Sequence, residues 1–375
     1  MLHERIRWPW CDLLRFFGDR SYRDKIREIG MAYDGILEDV REAMELRKPK
    51  RMNFFACSEE FDVHWYGKYC YEEVCQDGAK MAEVWIAAIE EFDYDWAWLQ
   101  VDDCFELEPL GVTTHGEGDI LRATVKYLPA TKEALDGLKI LDPEADGRMP
   151  EKLKALRLLR EHFGDTVLVT GSCAAPYSCT SLILGLEETM VLALTDPKLL
   201  AEFSDFCVEL EYRYIKAQYH AGAHAVWLGD CNAFSGMLSL EQYKQFAFSP
   251  CRKLVEKVKK DMDVIVYLHN SEEKIPNLLV QVELGVDIIN LGPGAEMAAA
   301  REAMTGRCCF SGNLDPIEVL MHGTPELVAR ETQRIIETCR EPGGYLFCTG
   351  EMNPRDVPVE NMEALSKTIK SANRI

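Results

Sequence analysis

The chain has 375 residues, 47% of them hydrophobic, enough for a large buried core, and no low-complexity or Pro/Ser-rich linker interrupts it. Lys and Arg number 42 against 63 Asp and Glu, a formal charge of −21 that makes nucleic acid an unsuitable partner and disfavours docking on anionic membranes. No run approaches the roughly 20 apolar residues of a membrane span. The opening MLHERIRWPWCDLLRFF carries charges and Trp where a signal peptide needs an unbroken apolar stretch, so a cytoplasmic protein is expected. The 14 cysteines are scattered, only Cys308 and Cys309 are adjacent, and no CxxC pair exists. That argues for free thiols rather than a zinc ribbon, iron–sulfur cradle or disulfide framework, and suits a reducing, anaerobic cell.

Residues 1–50 are charged and place apolar residues at helical spacing through Ile26, Ile29, Tyr33, Ile36 and Val40, which predicts a helical extension ahead of the main fold. Eight short apolar runs follow, at 51–57, 94–101, 166–171, 224–229, 264–269, 286–291, 308–312 and 344–350, separated by amphipathic helical stretches. Several are continuous Val/Ile/Leu/Trp segments, as strands buried on both faces require. Eight βα units predict an α/β chain, a (β/α)8 TIM barrel over residues 51–375. An open doubly wound sheet would want GxGxxG after an early strand, and none is present.

A barrel of this kind carries its chemistry just past the carboxyl ends of the strands. Those positions hold Cys57-Ser58-Glu59, Asp102-Asp103-Cys104, Ser172-Cys173, Asp230-Cys231-Asn232, His269-Asn270-Ser271, Gly292-Pro293, Asn313 to Asp315 and Cys348 to Glu351. Each has a plainer reading. His269 can be an ordinary buried histidine, one of Asp102 and Asp103 a helix cap, Cys231 a small core residue, and Glu351 a surface carboxylate. Cys308 and Cys309, inside a run, are expected to be core. Phe54, Phe55, Trp65, Tyr66 and Trp98 are candidates to line an apolar pocket mouth suited to an aromatic substrate.

Three motifs give the sequence a family resemblance over roughly residues 50 to 370. They are Ser311-Gly312-Asn313-Leu314-Asp315-Pro316; Gly344-Tyr345-Leu346-Phe347-Cys348-Thr349-Gly350 with Pro354, Pro358 and Glu360-Asn361 after it; and Ala221-Gly222-Ala223-His224 leading to Asp230 and then Leu238-Ser239. Together they resemble the uroporphyrinogen decarboxylase superfamily. One branch of it decarboxylates uroporphyrinogen; the other is similar to methyltransferases that move methyl groups to or from a corrinoid.

The decarboxylase branch carries an Arg-rich RQAGR signature after its first strand, matching its polycarboxylate substrate. Here that stretch reads Phe54-Phe55-Ala56-Cys57-Ser58-Glu59-Glu60, with no Arg and two Glu. The Asp that branch keeps near its second strand corresponds to Asp102, with Asp103 beside it, and Glu351 stands at its GHG histidine. The methyltransferase branch binds zinc through HxC after the fifth strand and a Cys after the eighth. His269 matches that histidine, while Ser271 and Glu351 replace the two cysteines. The resemblance therefore implies zinc on His269, Glu351 and Asp230 or Cys231, with Cys348 a further candidate. The implied catalytic residues are Asp102, Asp103, His269 and Glu351, and the implied substrate contacts Phe55, Trp98, Asn232, Asn270 and Asn313. The implied reaction moves a methyl group from a small methylated substrate, with methoxyaromatics as candidates, to the cobalt of a separate corrinoid protein. The chain is read as lacking a corrinoid module of its own, including a DxHxxG lower-ligand motif. The alternatives are a uroporphyrinogen-type decarboxylase or a non-catalytic corrinoid- or tetrapyrrole-binding barrel. The decarboxylase relatives suggest a homodimer.

Overall fold

Continuous apolar runs that alternate with capped helices bury both strand faces, and here the sheet also curls until its edges meet. In a computed structural model that describes residues 33–373, the strands are β1 (Trp96–Trp98), β2 (Thr113–His115), β3 (Ala123–Lys126), β4 (Leu168–Ala174), β5 (Ala225–Gly229), β6 (Ile265–His269), β7 (Ile288–Asn290), β8 (Cys309–Leu314) and β9 (Tyr345–Thr349). Seven form one parallel sheet in the order β1-β4-β5-β6-β7-β8-β9, and β2 and β3 make a separate antiparallel hairpin inserted after β1. Outside the sheet lie helices such as Gly78–Phe92, Met149–Phe163, Pro197–His220, Ser249–Asp261 and Pro325–Cys339. Their starts are fixed locally: Asp77, Asp196 and Thr324 accept from backbone N–H groups of the first turn, and Pro197 and Pro325 pre-set its φ.

The run at 51–57 is the eighth stave, although only one of its residues pairs as a strand. Phe55 pairs in parallel with Cys348. On one side its N–H donates to Phe347 O (3.2 Å); on the other, Asp95 N–H donates to Phe54 O (2.9 Å). Side chains interrupt the rest of the ladder. The Asn53 amide donates to Phe347 O and accepts from Phe347 N, both at 2.9 Å, standing in for a peptide group. The Asp95 carboxylate takes Phe54 N–H at 2.7 Å. The seam between β9 and β1 is closed in this way, and the fold is a (β/α)8 barrel.

Strand alternation sorts the core into two layers. Val169, Val226, Val266, Ile289 and Phe347 face the helices. Phe55, Trp96, Trp98, Leu168, Trp227, Tyr267, Ile288, Leu346 and Cys348 fill the interior. Phe55 stacks on Trp96 (4.6 Å), Trp96 on Trp98 (5.7 Å), and Trp98 meets Trp227 edge-on (5.3 Å). Such pairs add about 0.5–1.5 kcal/mol each beyond the area they bury. Helix Ile36–Met44 packs Ile36, Val40 and Ala43 into this inner cluster, and just beyond it Arg47 O accepts from Gly344 N–H (3.1 Å) at the start of β9. The helix therefore seals the amino ends of the strands. The first 32 residues of the expected helical extension lie outside the described residues. Among the described residues no single helix is long and apolar enough to cross a membrane.

Two strands run further than their apolar content predicts. β4 continues through Ala174 and β8 through Leu314. Ser172, Cys173 and Asn313, expected past strand ends, are thus inside the ladder.

Candidate active site at the barrel mouth

The register of three strands brings one nitrogen, one sulfur and one carboxylate together. His269 is the last residue of β6 and pairs with Gly229 of β5 on one side and Asn290 of β7 on the other. Cys231 follows two residues after Gly229, and Glu351 two residues after the end of β9. A Cβ on Gly350 would meet Pro293 N at 2.9 Å, so glycine is what lets the chain turn there and carry Glu351 over the mouth. The donor atoms of Cys231, His269 and Glu351 lie within 4.8 Å of one another.

Hydrogen bonds fix the tautomer and the tilt of His269. Its Nδ1 faces Asn290 Oδ1 at 2.8 Å, while Asn290 Nδ2 donates to Tyr267 Oη (3.2 Å) and Ser311 Oγ (3.3 Å). With its amide nitrogen so committed, Asn290 offers oxygen to the imidazole, which puts the proton on Nδ1 and turns Nε2 to Glu351 Oε1 (3.1 Å). Trp227 stacks under the ring at 4.8 Å. Ser271, held at φ 57°, donates its hydroxyl to Glu351 Oε1.

Burial alone would lower the His269 pKa, but the Glu351 carboxylate and the Cys231 thiol outweigh it and hold the imidazole well above its usual value. Burial pushes Glu351 up, and His269 with the Met352 N–H holds it below the usual carboxylate range. Cys231 is accessible to solvent yet surrounded at the floor of the mouth; burial pushes its thiol up and His269 opposes that.

Other expected site residues go elsewhere. Asp230 is fully buried and accepts from Ser178 Oγ at 2.8 Å, away from the triad; burial pushes it up to about 7. Of the two strand-end carboxylates of the second run, Asp102 turns into the wall. It accepts from both terminal nitrogens of Arg148 (2.9 and 3.0 Å) and from Cys104 N–H (2.8 Å). Asp103 faces the mouth and accepts from Gln100 Nε2 at 2.5 Å. Asn313 spends its amide on the carbonyls of Gly292, Pro293 and Ala295, so it stitches a loop. Phe55 and Trp98 belong to the inner cluster rather than a pocket rim. Asn232 anchors through its backbone to Ser178 Oγ (3.2 Å). Asn270 is fully buried, with both amide atoms unpartnered.

Cys348 lies 3.6 Å from Cys57 inside the barrel and outside the donor cluster. Cys308 and Cys309 are buried, as expected. The sequence reading has Ser271 at a strand end, in place of a cysteine, but gives no site role to Asn290 or Trp227. Asn290 had a legible signal, as a polar residue near the end of an otherwise apolar run. The reading that no DxHxxG motif exists is incorrect: Asp62-Val63-His64-Trp65-Tyr66-Gly67 has that spacing. It falls on helix Glu60–Tyr66, where Asp62 is buried against Ser58 Oγ (2.8 Å) and Tyr94 Oη (3.2 Å) and His64 is exposed. Residues two apart on a helix do not face each other, so the two cannot work as a pair there.

The structure so far defines a (β/α)8 barrel with a polar N/S/O cluster at its catalytic end. The family model for uroporphyrinogen decarboxylase (URO-D) matches residues 64–372, and the chain belongs to that family. Both branches occur among its relatives. A uroporphyrinogen decarboxylase from Psychromonas ingrahamii is 25% identical over 305 residues, covering 78% of this chain and 82% of that one. The methylcobamide:CoM methyltransferase MtbA from Methanosarcina mazei is 26% identical over 269 residues, covering 71% and 78%. A solved methyltransferase from Methanosarcina mazei shares the fold with a TM-score of 0.80 at 19% identity, covering 88% of this chain and 97% of that one.

Proposed function

We propose that the protein is a methyltransferase of the corrinoid-dependent branch. It takes a methyl group from a small methylated substrate and delivers it to the cobalt of a corrinoid carried by a separate protein docked over the mouth. The observation that carries this reading is the convergence of Cys231, His269 and Glu351 within 4.8 Å. The donor set fits a divalent ion such as zinc, which accepts sulfur, nitrogen and oxygen ligands at about 2.0–2.3 Å. The orientation fits as well, because Asn290 on Nδ1 turns Nε2 into the cluster, where it would release its proton to ligate. A bound zinc would supply Lewis acidity to the substrate heteroatom.

The chain's own residues do the remaining work. Asn290 and Trp227 hold the imidazole, and Ser271 holds Glu351. The aromatic interior excludes water from below. When the methyl group leaves, the heteroatom keeps the bonding electron pair and needs a positive neighbour, which the Lewis acidity held by Cys231, His269 and Glu351 would supply. A methoxyaromatic donor remains the preferred substrate class.

Elemental analysis after zinc loading tests the reading. Wild type should hold about one ion per chain, and His269→Ala and Glu351→Ala should lose it together with methyl transfer to an added corrinoid protein. Metal-free wild type, or variants that bind as well as wild type, would rule the ligand set out. The second reading, decarboxylation, draws on the several relatives that bear the decarboxylase name. Against it, Glu59 and Glu60 stand where a polycarboxylate needs basic partners, and Arg148 is already tied to Asp102 and Glu108. Conversion of uroporphyrinogen III to coproporphyrinogen would reverse the choice. A non-catalytic binding barrel would need neither metal nor turnover.

A further inference from the structure

Carboxyl groups gather at the mouth. Three adjacent staves each deliver a carboxylate to it. Glu59 follows the stave at 51–57 as the residue that opens helix Glu60–Tyr66, and it lies close enough to Asp103 and Glu351 for both carboxylates to push its pKa up. Asp103 follows β1 and Glu351 follows β9, the two strands that flank the stave bearing Glu59. Glu351 has His269 as its partner. Among the described residues, neither of the other two has a cation bonded to it. Arg148 is bound to Asp102 and Glu108, and Arg355 to Glu60 and the Asp119 carbonyl. The buried Lys152 spends its ammonium on Ser172 O (2.9 Å) and Ser172 Oγ (2.6 Å).

Glu59 is the independent sign that a ligand completes this region. It is 3% exposed, and its Oε2 has no hydrogen-bond partner. A buried carboxylate oxygen without a partner is costly, and a bound polar group that met it would relieve that cost. Burial holds its pKa well above the usual range, and the charges that act on it next are all negative: Glu60, Asp62, Asp103 and Glu351.

We infer that Glu59 and Asp103 form a cation-binding subsite, and that the substrate carries an ammonium group that docks there while its methylated heteroatom lies over His269, Cys231 and Glu351. The role of the heteroatom rests on the methyltransferase reading; the charge preference of the subsite does not. An ammonium has several donors, enough to meet the Glu59 oxygen and the Asp103 carboxylate together, and both would then be charge-assisted bonds.

Isothermal titration calorimetry of the full chain at constant zinc content tests this with three probes that share a ring and a methyl ether. They are 4-methoxyphenethylamine (an ammonium), 4-methoxyphenethyl alcohol (neutral) and 4-methoxyphenylpropionate (an anion). The ammonium should bind about tenfold or more tighter than the alcohol, the gain expected of a charge-assisted bond. The propionate should bind least, and the preference should shrink as salt rises. Glu59→Gln and Asp103→Asn should each bring the ammonium towards the affinity of the alcohol and leave the alcohol unchanged, with circular dichroism checking that both variants are folded. The inference is overturned if the alcohol or the propionate binds as well as the ammonium, if no probe binds, or if both variants keep the wild-type ranking. Loss of methyl transfer with the ammonium preference intact would sink the methyltransferase reading and spare this one.

Discussion

Asp102 and Asp103 are adjacent in sequence, and replacing each in turn should separate stability from function. Asp102 is buried, accepts two bonds from Arg148 and one from Cys104 N–H, and touches nothing at the mouth. Removing one partner of a buried ion pair typically costs about 3–5 kcal/mol because the other charge is left uncompensated. Here Arg148 would keep Glu108 (2.8 Å) and the Cys75 carbonyl (3.1 Å), which places Asp102→Ala near the lower end, about 3 kcal/mol. With an unfolding entropy of about 2.1 cal/mol/K per residue, that corresponds to a fall in Tm of roughly 4 °C for a chain of this size. Asp103→Asn exchanges a carboxylate whose one hydrogen-bond donor is a neutral amide, so its stability should change by less than about 1 kcal/mol while ligand binding or turnover falls. Urea unfolding followed by tryptophan fluorescence, beside a turnover or probe-binding assay, gives both readouts. If Asp102→Ala were as stable as wild type but inactive, or Asp103→Asn unstable but fully active, the assignment of wall and mouth would be reversed.

Asn53→Ala should cost about 1–3 kcal/mol, since both peptide groups of Phe347 lose a partner at the barrel seam; the urea midpoint reads this. Asp62, pushed up to about 8 by burial against the help of Ser58 and Tyr94, should make wild type pH-sensitive. An acid raised on folding has its full stability below its unfolded value, about 3.9, and loses it as pH climbs towards the folded value. Asp62→Asn should therefore gain on wild type between about pH 4 and pH 8, and a constant gap across that window would refute the shift. Asn290→Ala should lower zinc affinity by about 10–100-fold without unfolding the protein, because it frees the His269 ring while leaving the ligand itself; competition with a chelator measures it.

The barrel could be read from the sequence because its signal is local. Each apolar run is a strand or stave, and the polar residue after it marks the catalytic end. His269 could be read for the same reason, and Glu351 through the family motif before it. The failures share a physical cause: which way a side chain points after a strand ends depends on partners distant in sequence. Asp102 turns inward because Arg148 waits on another element, and Asp230 because Ser178 does. In both pairs the neighbouring residue, Asp103 or Cys231, takes the mouth. Asn313 looked functional by position, yet it closes a loop eighteen residues or more back in the chain. The run at 51–57 met the pattern of a strand, but Asn53 competes for the backbone partners that a ladder would use.

Among the described residues, helix Ile36–Met44 against the lower rim and the stacked indoles above it close this vessel at one end and leave its doorway at the other. Anything that reacts at His269 must enter and leave on the same side on which a methyl acceptor would have to dock. Traffic of that kind imposes an itinerary. On the methyltransferase reading the small molecule would board first, the large partner would close the hatch, and the spent donor would disembark only after the partner had gone. Steady-state kinetics would then follow a compulsory order, with an excess of partner slowing turnover instead of saturating it.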